Sequence, residues 1–192
     1  GVPMTVSVIS RKDAVSTTWS GGTTTEFYLF PRDGSYKERR FDLRISSATV
    51  DLEASDFTLL PDYQRIITPL EGGFTLTYKE TGEKVTLAPL EEDFFDGAYH
   101  THSIGKAIDF NVMYKKGMHA AYSVINASKK FGLADFRFLY VPFIDAKDLT
   151  GSTLNEHSLT RDTLYVSDDR SDAFVLALKK PVSLIYVSVR KA

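Results

Sequence analysis

Residues 74–87 read FTLTYKETGEKVTL, and this stretch decides the fold class. Large apolar side chains alternate with threonine or lysine from Phe74 to Lys79, which is the period of a strand with one buried face and one exposed face. A Thr81-Gly82 turn follows, and the alternation resumes at residues 85–87. The stretch therefore predicts a β-hairpin.

The same alternation recurs along the chain, at residues 41–46, 173–178 and 184–189. The last two segments are predicted to form a hairpin across Lys179-Lys180-Pro181. Residues 122–132 fit either a short helix ending at Gly132 or a strand, and period two favours the strand. Frequent Gly, Pro, Asp and Asn between these segments are typical of an antiparallel sandwich or barrel and argue against a parallel doubly wound sheet.

The composition agrees with an all-β fold, because Val, Ile, Thr, Phe, Tyr and Trp make up about a third of the 192 residues. With 23 basic and 25 acidic residues the net charge is −2, which excludes a strongly basic nucleic-acid binder. The chain has no cysteine, so disulfides, thiolate metal sites and cysteine nucleophiles are excluded. No apolar run approaches the roughly 20 residues that cross a bilayer, and no signal peptide is recognisable. We expect a cytoplasmic protein without a membrane or nucleic-acid partner.

Alternation also predicts a polar pocket. Arg44 and Ser46 share the strand face opposite Leu43 and Ile45, and in a barrel that face lines the interior. Asp109 and Asn111 likewise share one face of a later strand, while Arg65 follows a turn and leads into another strand. A buried arginine needs a carboxylate partner, either Glu26 or Asp109 from the protein or an anionic ligand. The alternative for both arginines is an exposed position on a strand.

The segment Trp19-Ser20-Gly21-Gly22 precedes Glu26 and an apolar run. Its glycines permit close backbone approach or positive φ beside the only tryptophan of the chain. Two interpretations stay open, a ligand-contacting loop and a tight turn around a core tryptophan.

His100 and His102 are alternate residues, so on a strand both imidazoles would face one metal ion. A metal site usually needs three or more convergent ligands, and the residues that follow offer no carboxylate before Asp109. Two exposed histidines in a turn region are therefore the favoured interpretation. We expect no cofactor, and a divalent metal at His100 and His102 is the alternative.

Several ordered motifs together resemble the HutD/Ves family of bacterial cupin-like proteins. The resemblance covers roughly the first 115 residues, and beyond them only the strand-rich character agrees. One departure concerns Trp19, which the family commonly follows with Lys-Asn-Gly-Gly-Gly and this chain follows with Ser-Gly-Gly-Thr. The motifs are the segments at residues 19–26, 41–48, 56–65, 70–73, 95–97 and 109–113.

The resemblance implies a bicupin of RmlC-like type, in which two small antiparallel β-barrels or jelly rolls follow each other in one chain. Residues 1–115, with the N-terminal Trp-Gly-Gly segment, would form the first barrel and residues 116–192 the second. The HutD branch is associated with histidine-utilisation operons, where it is thought to bind a pathway intermediate in a regulatory or housekeeping role. The Ves branch is linked to cold and environmental stress.

The preferred hypothesis is a non-enzymatic protein that binds a small anionic metabolite, for example formiminoglutamate or urocanate, in its first barrel. The expected roles are carboxylate clamps for Arg44 and Arg65, neutral hydrogen-bonding partners for Ser46 and Asn111, orienting acids or acceptors for Glu26 and Asp109, and an apolar wall for Trp19. The alternative is an isomerase or hydrolase with Glu26 or Asp109 as its base, or a metal-dependent enzyme using His100 and His102. A barrel that serves as a protein-interaction surface and a homodimer also stay open.

Overall fold

The computed structural model describes residues 6–192 and consists almost entirely of antiparallel strands. Within these residues the helical structure is one 3-10 turn at Arg11–Asp13 and one four-residue α-helix, α1, at Ala146–Leu149. Neither is long and apolar enough to cross a membrane. The all-β prediction is confirmed.

The strands follow in chain order as β1 (Ser7–Ser10), β2 (Val15–Trp19), β3 (Gly22–Phe30), β4 (Leu43–Val50), β5 (Ala54–Asp56), β6 (Tyr63–Gly72), β7 (Phe74–Tyr78), β8 (Lys84–Leu87), β9 (Asp93–Asp96), β10 (Thr101–Ile104), β11 (Ala107–Lys115), β12 (His119–Ile125), β13 (Lys129–Lys130), β14 (Phe136–Val141), β15 (Thr153–Leu154), β16 (His157–Ser158), β17 (Thr163–Ser167), β18 (Val175–Ala177) and β19 (Leu184–Arg190).

The first compact unit comprises Ala14–Lys116. It contains a six-stranded sheet in the order β2-β3-β4-β11-β6-β9 and a four-stranded sheet in the order β5-β10-β7-β8. An apolar core joins the two sheets, since Ile67 of the larger sheet clusters with Phe74, Leu76 and Leu87 of the smaller one. Burial of these side chains is the main force that holds the two sheets together.

The second unit comprises residues 117–192 together with the N-terminal segment that ends at Asp13. Its sheets run in the orders β1-β17-β14-β19-β12 and β13-β18-β15-β16. Ser7 to Ser10 pair with Val166 to Thr163, so the start of the chain belongs to the unit that the end of the chain builds. This differs from the expected division into residues 1–115 and 116–192. The boundary after Lys116 lies close to the expected one, but β1 belongs to the unit of residues 117–192.

The β7-β8 hairpin forms as residues 74–87 predict, with Gly82 at φ +71° in its turn. Residues 122–132 form no helix, and the strand interpretation is confirmed for residues 122–125, which belong to β12, and for Lys129–Lys130 of β13, but not for the residues between and after them. The predicted hairpin between residues 173–178 and 184–189 is wrong. β18 pairs with β13 and β15, whereas β19 pairs with β12 and β14. The segments are adjacent in sequence, but they pair into different sheets, whose apolar side chains Leu176 and Leu184 pack in one shared core.

Candidate functional site

A cavity of about 370 Å³ opens on the inner face of the six-stranded sheet in the Ala14–Lys116 unit. Strands β2, β3, β4, β6 and β11 contribute its floor, and Tyr36 and residues 55–58 contribute its other walls. Six of the seven residues expected at a binding site line it: Trp19, Arg44, Ser46, Arg65, Asp109 and Asn111. The seventh, Glu26, contacts one of these residues from outside the lining.

Strand register brings the two arginines together. Arg44 on β4 and Arg65 on β6 both pair with Met113 on the intervening strand β11. With neighbouring strands about 4.8 Å apart, this places the two arginine Cα atoms roughly 10 Å from each other on one row of the sheet. Ser46 pairs with Asn111 on the next row of the same face. The polar face predicted from the alternation of β4 is therefore buried and turned towards the cavity rather than solvent.

Arg44 has a carboxylate partner. Its Nε donates a hydrogen bond of 3.0 Å to Oε1 of Glu26, and its side chain is only 9% exposed. The ring of Tyr36 covers the guanidinium, with 3.8 Å between Cζ and the ring centroid. Carboxylate and ring together fix the orientation of the guanidinium and partly neutralise its charge.

Arg65 is held without an ion pair within residues 6–192. Its Nη2 donates to Oδ1 of Asn111 at 3.3 Å, and the rings of Phe57 and Phe95 lie 5.2 and 5.1 Å from its Cζ. Its Nε is buried and makes no hydrogen bond. Burial lowers the pKa of Arg65 to about 10, so the group is still cationic at neutral pH. A buried cation with incomplete hydrogen bonding is an unusual and costly arrangement in an unliganded protein.

Asp109 is the buried acid of the cavity, with 3% of its surface exposed. Its Oδ1 accepts a hydrogen bond of 2.8 Å from the backbone N–H of Ala48, and its carbonyl oxygen accepts one of 2.6 Å from Ser47 Oγ. These bonds tie Asp109 on β11 to the neighbouring strand β4. The carboxylate therefore has a fixed place in the floor.

Trp19 ends β2 at the cavity, and Ser20-Gly21 make the turn into β3. The tight turn of the second interpretation is present, but Trp19 is 37% exposed and is not a core residue. Its ring covers Gly21, where a Cβ would lie 2.0 Å from Cζ3 of the ring. At Gly22, φ is +149° and a Cβ would lie 1.7 Å from the carbonyl oxygen of Thr49. Both glycines serve the close approach that the sequence indicates.

The two histidines do not meet at a common site. His100 Nδ1 lies 2.7 Å from Oε2 of Glu80, and His102 Nδ1 lies 2.8 Å from Oδ1 of Asp56. Each imidazole is exposed and has its own carboxylate. In the part of the chain that the structure describes, no group of three or more His, Cys, Asp or Glu side chains is arranged to hold a metal ion.

Sequence reasoning missed the aromatic side chains that hold the arginines. Tyr36 lies between strands β3 and β4, and Phe57 directly follows β5. Neither position carries a periodic signal, because both stand outside regular strands. Phe57 and Phe95 both stand in segments that resemble the family motifs, but the place of Phe95 beside Arg65 follows from the pairing of β9 with β6.

The second unit has a buried arginine of its own. Arg137 on β14 is fully buried, and its Nη2 donates to Ser167 Oγ and to the carbonyl oxygens of Asp169 and Asp172 at 2.7–3.2 Å. Its guanidinium lies 5.4 Å from the ring centroid of Phe174. Protein acceptors bind both of its Nη atoms, whereas its Nε, like that of Arg65, is buried without a hydrogen bond.

A family model for HutD matches residues 11–184. The chain is similar to the structure of HutD from Pseudomonas fluorescens SBW25, with 23% identity, a TM-score of 0.79 and coverage of 97% of this chain and 99% of that one. It is similarly close to a conserved protein of unknown function from Pseudomonas aeruginosa PAO1, with 22% identity, a TM-score of 0.80 and the same coverage.

The bacterial pirin from Escherichia coli, a cupin-fold protein solved with nickel(II), also matches, with 9% identity, a TM-score of 0.65 and coverage of 97% of this chain and 100% of that one. No curated protein matches the chain. At these identities the likeness shows a shared all-β, cupin-like fold.

Proposed function

The chain belongs to the HutD family, and we propose on that premise that it is a binding protein for a small carboxylate-bearing metabolite. The cavity of the Ala14–Lys116 unit is the binding site in this proposal. Its volume of about 370 Å³ suits a metabolite rather than a macromolecule.

One observation carries the proposal: two buried arginines line one cavity, and the charge of Arg65 is not met by an ion pair within the described residues. The buried Nε of Arg65 has no hydrogen-bond acceptor within the described residues, which is costly, so an anionic ligand that accepts from it would stabilise the unit as it binds. A carboxylate is the natural partner, because guanidinium and carboxylate form short, charge-assisted hydrogen bonds.

The remaining cavity residues have distinct roles in this proposal. Ser46 and Asn111 supply neutral hydrogen-bonding groups on the row beside the arginines, and Trp19 supplies an apolar wall. Glu26 orients Arg44 through the bond of 3.0 Å. Tyr36 and Phe57 keep the guanidinium groups in place, so little side-chain freedom is lost on binding.

The wider biological assignment is also a proposal. Membership of the HutD family supports a regulatory role in histidine utilisation, with formiminoglutamate or urocanate as first candidates for the ligand. The presence of two paired sheets in each unit supports a bicupin. The proposed binding needs neither a metal nor a cofactor, and we place the protein in the cytoplasm.

Isothermal titration calorimetry with urocanate and other small carboxylates tests the proposal. Arg65→Gln should weaken binding at least about ten-fold, since hydrogen bonds to a charged group contribute about 1.5–3 kcal/mol. Arg40→Gln is the matched control, because Arg40 is 61% exposed and pairs with Glu38 outside the cavity. An Arg65→Gln variant that folds and binds with unchanged affinity would contradict the proposal. Chemical conversion of the bound compound, followed by NMR, would favour the enzyme alternative.

A further inference from the structure

We infer that the ligand of this cavity is an amphipathic monocarboxylate, whose carboxylate binds the arginines and whose other end is an apolar group in contact with Val50 and Trp19. This inference rests on the proposed function and adds to it the chemical class of the ligand. The carboxylate contact belongs to the proposed function, whereas the apolar end of the ligand is the new element.

The floor of the cavity loses polarity in one direction along β4. This strand presents Arg44, Ser46, Ala48 and Val50 to the cavity, one in each successive row of the sheet. In that order the side chains end in a guanidinium, a hydroxyl group, a methyl group and an isopropyl group. Six residues of strand separate the first row from the last, which corresponds to about 20 Å along the sheet. The floor is therefore long enough to contact the two ends of a ligand with different groups.

The row of Val50 is apolar on the neighbouring strands as well. Val50 pairs with Gly22 of β3, and Gly22 pairs with Trp19 of β2. On the other side the row continues through Ala107 of β11 to Gly72 of β6. None of these residues carries a charge, and Trp19 and Val50 are the two that line the cavity. This end of the floor therefore offers a ligand apolar surface, in contrast to the row of the arginines.

The two ends also differ in exposure. Arg44, Met113 and Arg65 form one row of the floor and are 8%, 4% and 5% exposed, whereas Trp19 is 37% exposed. The charged row is therefore the deeper one, and the indole lies where the floor reaches the surface. An apolar group of a bound ligand covers part of this indole, and removal of apolar surface from water favours binding.

Two acids line the cavity within residues 6–192, and both already have protein partners. Asp56 Oδ1 lies 2.8 Å from Nδ1 of His102, and the Asp56 side chain is 83% exposed to solvent. Asp109 Oδ1 accepts a hydrogen bond from the N–H of Ala48, and its negative charge favours the charged form of Arg65. Both acids repel a second carboxylate of a ligand. Asp109 is only 3% exposed, so an apolar chain that passes over it displaces little further water.

Carboxylates of increasing chain length test this inference. The series runs from butyrate through hexanoate, octanoate and decanoate to dodecanoate, and its members differ only in the number of methylene groups. Dodecanedioate has the same chain length as dodecanoate and carries a second carboxylate at the far end. Each compound is titrated into the purified full chain at pH 7 by calorimetry. The emission of Trp19, the only tryptophan, is recorded in parallel.

We expect the affinity to rise along the series, because each additional buried methylene contributes up to about four-fold. The tightest member should bind at least about ten-fold more tightly than butyrate, which corresponds to about 1.4 kcal/mol. Dodecanedioate should bind at least about ten-fold more weakly than dodecanoate, since its second carboxylate meets an apolar row. The long members should change the emission of Trp19, and butyrate should not.

Val50→Thr and Trp19→Thr each remove apolar surface from the far end and keep a residue with high strand propensity. Each variant should weaken the tightest long-chain member at least about three-fold more than it weakens butyrate. Val15→Thr is the matched control and should leave the whole series unchanged. Val15 lies on the same strand as Trp19, is 69% exposed and stands outside the cavity lining.

The outcomes separate the two levels of the argument. If butyrate binds as tightly as the longer members, or dodecanedioate as tightly as dodecanoate, this inference is overturned and the proposed function stands. An unchanged dependence on chain length in folded Val50→Thr and Trp19→Thr variants overturns the contact with this row. If neither variant folds, the emission of Trp19 in the wild-type protein decides, and no change with the longest members overturns the contact. Failure of every carboxylate to bind overturns the proposed function and the inference together.

Discussion

Replacing Arg137 by methionine should destabilise the second unit by about 3 kcal/mol. Methionine is unbranched and of comparable length, so it fills much of the same space without a donor. The change removes the hydrogen bonds to Asp172 O at 2.7 Å, Asp169 O at 3.1 Å and Ser167 Oγ at 3.2 Å, and a longer one to Gly132 O at 3.3 Å.

The magnitude follows from the acceptors that are left behind. A buried acceptor without a donor costs about 1–3 kcal/mol. The carbonyl oxygen of Asp172 loses its bond of 2.7 Å, and the other bonds to the charged guanidinium, each worth about 1.5–3 kcal/mol, are lost as well. The carbonyl oxygen of Asp169 keeps bonds of 3.1 Å from Ser167 Oγ and from the backbone N–H of Asp172, and Ser167 Oγ keeps its bond to Asp172. Removal of a buried guanidinium also removes its desolvation penalty, which offsets part of this loss. The net decrease in the free energy of unfolding is therefore about 3 kcal/mol.

Thermal unfolding followed by far-UV circular dichroism measures the effect. For a chain of this size 1 kcal/mol corresponds to about 2–4 °C, so the midpoint should fall by about 6–12 °C. Trp19, the only tryptophan, lies in the other unit, so its fluorescence separates a local from a general loss of stability. Arg170→Met is the control, because Arg170 is 55% exposed and forms only a surface ion pair with Asp135. A loss below about 1 kcal/mol in Arg137→Met would refute the reasoning.

Two further changes test the packing of the strands and the protonation of a half-buried tyrosine. Gly22→Ala should lower the free energy of unfolding by about 3 kcal/mol, because the added Cβ would lie 1.7 Å from the Thr49 carbonyl oxygen. The loss is measured as a lower urea midpoint in Trp19 fluorescence. Gly82→Ala is the control and should lower the free energy of unfolding clearly less, since no atom lies within 4 Å of its added Cβ. Burial raises the pKa of Tyr186 from 10 to about 12. Between about pH 10 and pH 12 the folded chain therefore keeps a proton that the unfolded chain loses, so the free energy of unfolding falls as the pH rises through this range. Tyr186→Phe should reduce that fall in urea unfolding at a series of pH values, and an unaltered profile would contradict it.

The floor of the cavity follows from sequence because strand alternation is local. Once residues 41–46 are interpreted as a strand, Arg44 and Ser46 must share a face, and the same holds for Asp109 and Asn111. The structure adds that Met113 stands between the two arginines. That register joins three strands, and alternation within one strand carries no information about it.

The rest depends on contacts between distant parts of the chain. The hairpin expected across Lys179-Lys180-Pro181 does not form, because alternation shows that a segment is a strand and not which strand it pairs with. Arg137 had a signal that passed unnoticed. It is the charged residue in a strand whose six residues are all buried, and a charge in that position needs several protein acceptors. The HutD match to residue 184 shows likewise that the kinship reaches well beyond the first 115 residues.

The pairing of β1 with β17 has a consequence for how the protein is made. Ser7–Ser10 are synthesised before the Ala14–Lys116 unit, and their partners Thr163 to Val166 follow about 150 residues later. At about 5–20 residues per second this is a delay of roughly 8–30 s. Once Lys116 has emerged, the Ala14–Lys116 unit has all its strands and can fold, while Ser7–Ser10 still lack their partner strand β17. A nascent chain of this protein can therefore complete the Ala14–Lys116 unit before β1 pairs with β17.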